Sequence, residues 1–268
     1  MTGWAALRWR GAAYFDGTDT QGKRLPVPLL LGGGNLRPHP GAALSWEQLG
    51  PSECEEVDGI RVTTVQRAIF DEMRRVDSLL HRLVTVEMAA AARLTSVALQ
   101  TAYVIRRQAW TGVPQAREAM AQAIDHSRSP TETWMRVAWL RCDLPPPVCN
   151  QPLYDLDGAL IGVPDLFDPE AGLVGEYDGA HHKNRAQHRK DVAREHLFRD
   201  HGLEYFAAVA GDREDTVMSR MIQARRRARF LPPGSRAWTL DPPPWVTVPE
   251  TLDEYFARTG QADRLTRI

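Results

Sequence analysis

Three acidic side chains lie close together near the middle of the chain, and their spacing favours metal chemistry. Asp165 follows the tripeptide Gly162-Val163-Pro164, whereas Glu176 and Asp178 follow the short apolar run Leu173-Val174-Gly175. Alternate side chains of a strand share one face, so Glu176 and Asp178 should point the same way. Carboxylates crowded on one face repel each other unless one is protonated or a cation lies between them. The segment therefore predicts a site for Mg²⁺ or Mn²⁺, hard ions that prefer oxygen ligands.

The chemistry that such a site favours is phosphodiester hydrolysis. A bound divalent ion polarises a phosphodiester, lowers the pKa of an attacking water and neutralises the leaving oxygen. His181 and His182 follow directly, and an imidazole that titrates near neutral pH is a candidate general base. In the alternative interpretation, the acids merely flank turns or lie on a solvated strand. The apolar strand that ends at Glu176 and the adjacent histidine pair favour the functional interpretation.

Strand register decides whether Asp165 joins the other two acids. A four-residue connection between the strands, 168–171, places Asp165 diagonal to Glu176 on the same face, and a five-residue connection places it behind the sheet. A slip of one residue moves every side chain of a strand to the opposite face. The sequence leaves both registers open.

The elements that must position these acids make up the second half of the chain. Ser129 and Pro130 are typical of a helix start. Asp157-Gly158 is typical of a hairpin turn, and Gly202 of a helix end. We predict a helix from residue 129, strands over 148–156, 159–167 and 173–177, a helix over 185–201, a strand over 203–209 and a helix over 215–230.

Glu132 has two candidate roles. It stands three residues after Ser129, where a glutamate completes a helix capping box. It would also lie beside the hairpin acids if the first helix packs against them, as an outer ligand of the metal or of its water. The two roles compete for one carboxylate.

Basic residues follow the acidic segment and recur on the last predicted helix. Such groups are candidates for contacts with a phosphate backbone. Acids at i,i+4 spacing offer the alternative of a salt-bridged, solvated face for the first group, whereas the second group is less compensated. The candidates are Lys183, Arg185, Arg189, Lys190 and Arg194 in the first group, and Arg225, Arg226 and Arg227 in the second.

The first part of the chain is organised differently. Short, broken elements occupy residues 1–62, and apolar residues recur at helical spacing over 63–125. A polar break follows at 126–129. We therefore predict an α/β protein with an α+β region over 1–126, a second domain over 127–230, and a proline-rich tail with a short helix over 231–268.

Composition narrows the class of protein. The 268 residues are 43% hydrophobic and 25% charged with a formal net charge of −1, which is typical of a globular protein and excludes a uniformly basic DNA-coating protein. The three cysteines, Cys54, Cys142 and Cys149, have no Cys-x-x-Cys spacing, which argues against a disulfide scaffold or a zinc ribbon. No apolar run reaches the roughly 20 residues of a membrane span. We expect a cytoplasmic protein without a membrane partner.

The second half of the chain resembles the very-short-patch-repair-type endonuclease domains of the PD-(D/E)XK nuclease superfamily. The resemblance implies a restriction-endonuclease-like core, in which a mixed sheet is flanked by helices in α-β-β-β-α-β order, and it implies metal-dependent cleavage of nucleic acid. The matching residues are Ser129-Pro130-Thr131-Glu132, Arg136, Pro164-Asp165, Glu176-Tyr177-Asp178-Gly179, His181-His182, Arg189, Asp191, Arg194 and Leu197.

The resemblance also implies a role for each acidic residue. Asp165 would be the principal metal ligand, Glu176 the second acid, and Glu132 the acid of the first helix. His181 or His182 would match the histidine that acts as the base.

Asp178 stands where the wider superfamily has a lysine, which the repair-type members also lack. Lys183 or Lys190 is a candidate to replace that lysine in space.

The first 126 residues are similar to antitoxins of the type IV toxin–antitoxin (abortive infection) class, a resemblance that implies phage defence. Trp4-Ala5-Ala6-Leu7, Gly11, the segment 58–63, Ala68 and Asp71 carry it. No winged helix-turn-helix is recognisable before this region, so we do not expect it to read a DNA sequence.

We expect a Mg²⁺-dependent DNA endonuclease or nickase. One alternative is a non-catalytic DNA-binding or antitoxin-like regulator that keeps a degenerate nuclease fold. Another is an interaction module whose helices within 63–125 bind a protein partner.

Overall fold

The structure, a computed structural model, describes residues 1–33, 36–179 and 185–262, and for 185–191 it describes the helix backbone without the side chains. The protein is mixed α/β, built from helices and small sheets, one of which is itself mixed. Contacts divide the chain into two compact units. The first comprises Met1–Asp125 together with the segment from Glu250 onward, and the second comprises His126–Pro249.

The first unit begins with short elements and continues as helices. Strand β1 pairs with β2 in parallel, and β3 pairs with β4 in an antiparallel hairpin. Asp58 and Gly59 both have positive φ angles and form the turn of that hairpin. The predicted change to helical structure after residue 63 is confirmed. The elements are α1 (Gly3–Trp9), β1 (Val27–Leu30), β2 (Ala42–Ser45), β3 (Cys54–Val57), β4 (Ile60–Thr63), α2 (Val65–Arg75), α3 (Leu79–Ala91), α4 (Val97–Ile105) and α5 (Val113–Met120).

A buried ion-pair network holds helix α2 in the first unit. The guanidinium of Arg67 is fully buried and bonds the carboxylates of Asp71 at 2.9 Å and Glu53 at 3.0 Å. It also stacks over the ring of Trp110 at 4.7 Å. Burial opposes ionisation of Glu53, but its hydrogen bonds, with the charges of Arg67 and Arg107, hold its pKa below the usual range. The network keeps α2 against the loop that carries Glu53.

The second unit alternates helices with short strands. Strands β5 and β6 form one antiparallel hairpin. Strand β8 is the centre of a separate three-stranded sheet, antiparallel to β7 and parallel to β9. The elements are α6 (Pro130–Leu140), β5 (Leu153–Tyr154), β6 (Leu160–Gly162), β7 (Leu166–Asp168), β8 (Leu173–Asp178), α7 (Arg185–Asp200), β9 (Glu204–Val209) and α8 (Glu214–Arg227).

The predicted second strand, 159–167, is wrong as a single strand. It divides into β6 and β7, and β6 pairs with β5 rather than with β7. Pro164 lies in the break and has no N–H to donate to a ladder. The predicted first strand, 148–156, is reduced to β5 and an isolated bridge between Val148 and Phe167. The break places Asp165 directly before β7.

Helices cover both faces of the three-stranded sheet. Tyr205 and Phe206 are successive residues of β9 and therefore point to opposite faces. Tyr205 stacks on Phe198 of α7, whereas Phe206 stacks on Trp139 of α6. Helix α8 packs against β8 and β9. The core on the α7 side contains Leu153, Ile161, Phe167, Val174, Phe198, Leu203 and Trp238.

The proline-rich tail does not form a part of its own. Trp238 packs edge-on against Phe167, and Thr239 pairs with Tyr154, so the tail up to Pro249 belongs to the second unit. The predicted short helix is present as α9 (Leu252–Arg258) and belongs to the first unit, where Phe256 is buried. No helix among the described residues is both long and apolar enough to cross a membrane.

Candidate active site

Asp165 lies in the bend directly before β7 and comes opposite Glu176 of β8. Strand β7 pairs Leu166 with Gly175, so extending the register by one residue sets Asp165 opposite Glu176. The connection between β7 and β8 consists of the four residues 169–172. It begins one position later than the four-residue connection 168–171 considered from sequence, and both connections put Asp165 on the same face as Glu176. Directly opposed residues of an antiparallel pair share a face. Asp165 therefore lies on the same face as Glu176, and it opposes Glu176 directly rather than diagonally.

The carboxyl group of Asp165 is half-buried and held at one oxygen. Its Oδ2 atom accepts a hydrogen bond of 2.8 Å from the backbone N–H of Tyr177. Within the described ranges its Oδ1 atom receives no hydrogen bond. Burial raises the pKa of Asp165, and the nearby carboxylate of Glu132 adds to the effect, against the Tyr177 N–H and the charges of Arg194 and Arg128. The ionised form of Asp165 is thus under-compensated.

Glu176 contacts a cation of the protein itself. Its Oε1 atom lies 2.5 Å from Nη2 of Arg194 in an ion pair. The same Nη2 atom donates to the carbonyl oxygen of Val163 at 2.6 Å. Arg194, predicted from sequence to contact phosphate, therefore joins β8 to the break that carries Asp165.

Glu132 lies in the first turn of α6, three residues after the cap residue Ser129. Its backbone N–H donates to Oγ of Ser129 at 3.2 Å, as the capping interpretation predicts. Its carboxylate accepts from Oγ of Ser129 at 2.9 Å, from the N–H of Arg128 at 2.8 Å and from Nδ2 of Asn150 at 2.7 Å. The Ser129 cap is confirmed, but the capping box is not completed, because the carboxylate of Glu132 accepts from the backbone N–H of Arg128 rather than from that of Ser129. The same carboxylate lies near enough to Asp165 to raise its pKa. A role as outer ligand stays a prediction.

Asn150 is a residue that sequence reasoning missed. Its backbone has a φ of 52°, in the left-handed region that asparagine tolerates better than most residues. Its N–H donates to the carbonyl of Pro164 at 3.1 Å, and its side-chain amide donates to Glu132 and to the carbonyl of His126. Asn150 thus ties the residue before Asp165 to the start of α6. No sequence motif marks it, because its partners come from distant segments.

Arg128 is a second missed residue. It is exposed, and its side chain makes no hydrogen bond or ion pair with the described part of the chain. Its charge nevertheless lowers the pKa of Asp165, so the guanidinium lies near that carboxyl group. It is a cation beside the acids that is available to a ligand.

Asp178 lies at the end of β8, on the same strand face as Glu176. Its backbone pairs with Val209 of β9. The pKa of Tyr205 is raised by burial first, and then by the charges of Glu176, Glu195 and Asp178. The acids of β8 therefore share the face covered by α7, with Asp178 farther along the strand from Asp165.

Several predicted residues lie outside the described part of the chain. They are His181, His182 and Lys183. Arg185, Arg189 and Lys190 lie on helix α7, whose side chains the structure describes only from residue 192 onward. Their predicted roles as base or phosphate contacts stay predictions.

The arginines of α8 lie away from the carboxylate pair. Arg225 bonds Asp168 at 2.8 Å and Glu170 at 2.7 Å, and Arg227 bonds Glu204 at 2.8 Å. Asp168 and Glu204 both pair with Leu173, at the opposite end of β8 from Glu176. Arg226 is exposed and has no side-chain partner in the described ranges. Of these three predicted phosphate contacts, only Arg226 is not engaged by an acid.

The donor set fits a divalent ion that takes few protein ligands. Among the described residues, no group of three or more His, Cys, Asp or Glu side chains is placed to hold a metal ion. Mg²⁺ commonly binds through only one or two carboxylates and completes its shell with water and substrate phosphate. Asp165 and Glu176 supply two hard donors at opposing positions, and the raised pKa of Asp165 indicates that a nearby cation would stabilise its charge.

No protein-family model, curated protein or solved structure matches this chain.

Proposed function

We propose that the second unit is a metal-dependent nuclease and that the protein is a DNA endonuclease or nickase of the very-short-patch-repair type. The observation that carries the proposal is the opposed pair Asp165 and Glu176, in which burial leaves the charge of Asp165 under-compensated. The mixed sheet β7-β8-β9 with helices on both faces supports it, because the proposed core is a mixed sheet flanked by helices. The hairpin of β5 and β6 lies outside this sheet.

The carboxylates would hold the metal, and the surrounding residues keep them in place. A bound Mg²⁺ or Mn²⁺ ion supplies Lewis-acid activation of the phosphodiester and of the attacking water. The N–H of Tyr177 orients Asp165 through one oxygen, which leaves the other oxygen for the cation. Asn150 holds the backbone of Pro164. Arg128 is exposed beside the acids and is suited to neutralise a substrate phosphate.

Proton transfer and biological context complete the proposal. His181 or His182 accepts the proton of the attacking water, and Asp178 and Glu132 support the metal-binding acids. The resemblance of residues 1–126 to antitoxins supports a role in phage defence in the cytoplasm. Helices α2–α5 of that unit are then a candidate surface for a protein partner.

The activity is tested by nicking of supercoiled plasmid DNA in Mg²⁺ or Mn²⁺. Asp165→Asn and Glu176→Gln should each lower the rate by about 10²-fold or more, because loss of a principal electrostatic group costs that much, and both should retain DNA binding. Asp157→Asn is a matched control, since Asp157 is exposed in the turn between β5 and β6. A rate in Asp165→Asn equal to that of the wild type would overturn the proposal.

One observation favours a second candidate, a nucleic-acid-binding protein without catalysis. Arg194 already neutralises Glu176, so the second acid has a cation without any metal. This candidate predicts DNA binding that is indifferent to divalent ions, with no nicking by wild type or variants.

A further inference from the structure

A cavity opens in the first unit, lined by residues of both of its small sheets. Its volume is about 760 Å³, within the range of roughly 300–1,000 Å³ that small-molecule sites occupy. Strands β1 and β2 are parallel, so their carboxyl ends meet at one edge, and residues of the segments that follow them, 31–33 and 46–51, line the cavity. The hairpin of β3 and β4 forms a further wall. The cavity therefore has the size of a ligand site and lies where two strands end.

The β3–β4 hairpin turns one defined face toward the cavity. Cys54, Arg61 and Thr63 line the cavity. They share one face of the hairpin, because Cys54 opposes Thr63 and Arg61 lies two residues before Thr63. Val62, between them in sequence, points to the other face and is fully buried in the core. The alternation of the strand thus directs Arg61 away from the core and toward the cavity.

Arg61 is a cation without an acidic partner. The residue is exposed, and its Nη2 atom lies 3.8 Å from Sγ of Cys54, which is a weak acceptor. Glu56 opposes Arg61 in the ladder, yet neither Glu56 nor any other carboxylate in the described ranges forms an ion pair with it. A guanidinium carries five N–H donors in a planar fork that fits phosphate and carboxylate groups. Arg61 therefore has donors available for an anionic ligand.

Trp46 supplies an aromatic surface on another wall of the same cavity. The residue is 58% exposed. Within the described part of the chain its indole has no stacking, cation–π or hydrogen-bond partner. Exposed aromatic side chains in nucleic-acid-binding proteins stack on planar bases, whatever the base. The indole of Trp46 is available to a planar ring in the same way.

The backbone next to Trp46 is held by the buried ion-pair network of the first unit. The carboxylate of Glu47 accepts two hydrogen bonds from the guanidinium of Arg74, at 2.8 and 2.6 Å. The guanidinium of Arg67 donates to the carbonyl of Gln48 at 3.1 Å. A wall that is ordered before binding loses less conformational entropy when a ligand arrives. The network therefore prepares this wall of the cavity.

We propose that the cavity binds a nucleotide, with its base on Trp46 and its phosphate on Arg61. A nucleotide separates its planar base from its phosphate by a sugar, which suits a site whose aromatic and cationic groups come from different walls. Leu30 and Leu49 add apolar surface to the same cavity. The site belongs to the first unit and is independent of the acids in the second unit.

Isothermal titration calorimetry on the full chain tests the site, with each common ribonucleoside 5′-monophosphate and its nucleoside as probes. The buffer contains EDTA, so a divalent ion cannot provide the contact. The wild type should bind at least one mononucleotide, and the matching nucleoside more weakly. Arg61→Gln should weaken binding of that mononucleotide by about tenfold or more, as expected for a lost hydrogen bond between charged groups. Its affinity for the nucleoside should equal that of the wild type.

The aromatic contact has a different signature. Trp46→Leu should weaken the binding of nucleotide and nucleoside alike by about tenfold, because both present a base for stacking. Trp46→Phe keeps an aromatic ring and should retain most of the affinity. A fall in nucleotide affinity alone in Trp46→Leu would contradict the placement of the base.

A third variant covers the case in which Arg61→Gln fails to fold. Glu56→Gln removes the negative charge opposite Arg61 and should tighten nucleotide binding severalfold, while nucleoside binding stays the same. Unchanged nucleotide affinity in Glu56→Gln would contradict a phosphate at Arg61.

The matched controls are Arg24→Gln for the lost charge and Trp245→Leu for the lost indole. Arg24 is exposed in the first unit and does not line the cavity, whereas Trp245 is 70% exposed in the second unit. Both variants should bind nucleotides as the wild type does. A loss of affinity in the controls equal to that in the cavity variants would overturn the proposal.

Three further results would overturn the nucleotide site without affecting the nuclease, which plasmid nicking tests separately. The first is the absence of binding by every mononucleotide at millimolar concentration. The second is equal nucleotide affinity of wild type and Arg61→Gln, which would place the phosphate elsewhere. The third is tighter binding of indole-3-acetate than of any nucleotide, which would assign the cavity to an aromatic carboxylate.

Discussion

The backbone N–H of Tyr177 donates to the side chain of Asp165 at the point where the β7–β8 ladder ends. The residue opposite Tyr177 in the extended register is Pro164, whose carbonyl bonds Asn150 instead. The carboxylate of Asp165 therefore accepts the hydrogen bond of the Tyr177 N–H in place of the Pro164 carbonyl. The arrangement keeps Asp165 in one orientation although it lies outside a regular strand.

Replacing Asp165 should stabilise the protein in metal-free buffer. The pKa of Asp165 is raised by burial, so the folded state favours the protonated form. Its contribution to stability is complete below the pKa of the unfolded chain and is lost as pH rises through the raised folded pKa. At neutral pH, Asp165→Asn should therefore raise Tm by a few degrees, the effect of about 1 kcal/mol in a protein of this size. Thermal unfolding monitored by circular dichroism measures the change.

The difference in Tm between Asp165→Asn and wild type should shrink as the pH falls toward the usual pKa of aspartate. Added Mn²⁺ should raise the Tm of wild type but not that of Asp165→Asn. Asp157→Asn should show neither effect. A variant less stable than wild type at neutral pH would contradict the inferred cost of the buried charge.

Removing Arg128 should weaken nucleic-acid binding. The guanidinium is exposed near Asp165 and is not engaged by the described side chains. One lost phosphate contact lowers the slope of log K against log salt by about 0.9 for duplex DNA. Arg128→Gln should show that change in fluorescence anisotropy titrations at several salt concentrations.

Arg24→Gln serves as the control for Arg128, because Arg24 is exposed in the first unit and its side chain has no partner within the described ranges. If the slope of log K against log salt were equal for Arg128→Gln and wild type, Arg128 would not contact a phosphate in the proposed interface.

Asn150 should contribute both to stability and to metal affinity. Asn150→Ala loses the amide bonds to Glu132 and His126 and places alanine at a positive φ. We expect a loss of about 1–3 kcal/mol, because one of the lost hydrogen bonds goes to the charged carboxylate of Glu132. Asn150→Gly loses the same bonds without backbone strain and should be less destabilised. Urea unfolding gives the free energies.

Both Asn150 variants should also bind Mn²⁺ more weakly than wild type, because the backbone before Asp165 loses its tie to α6. If Asn150→Gly were as unstable as Asn150→Ala, the positive φ angle would not contribute to the loss of stability in Asn150→Ala. Unchanged metal affinity would show that Asn150 does not position the site.

Gly175 leaves room for the ring of Phe206 on the face opposite the acids. A Cβ atom at Gly175 would lie 2.4 Å from that ring, which stacks on Trp139. Gly175→Ala should destabilise the protein by about 1–3 kcal/mol through overpacking. Gly234→Ala is the control, since its Cβ would meet nothing within 4 Å. Equal urea midpoints for the two variants would contradict the predicted clash.

Much of the second unit could be predicted because its signals are local. Ser129 caps α6, and Gly202 follows α7 with a positive φ. Each signal depends on residues within about one helical turn, where backbone geometry is decided by near neighbours. The strand divided at Pro164 was missed because the break depends on which distant segment pairs with it.

The partners of the charged side chains could not be predicted in the same way. Arg194 follows Glu176 by 18 positions in the sequence. Their ion pair forms because α7 packs on the face of the sheet that carries Glu176. Arg225 and Arg227 looked uncompensated from spacing, yet acids from the β7–β8 turn and from β9 engage them. Asn150 belongs to no recognisable motif, because its bonds to His126, Glu132 and Pro164 form only in the folded chain.

The sequence by itself determined the local elements and the cluster of acids, since residue type and spacing set helix starts, turns and strand faces. The tertiary structure decided the register that opposes Asp165 to Glu176, and it decided which cations each acid meets. It also divided the tail between two units. These relationships depend on packing between segments distant in sequence, where a one-residue slip or a different helix rotation would change every partner.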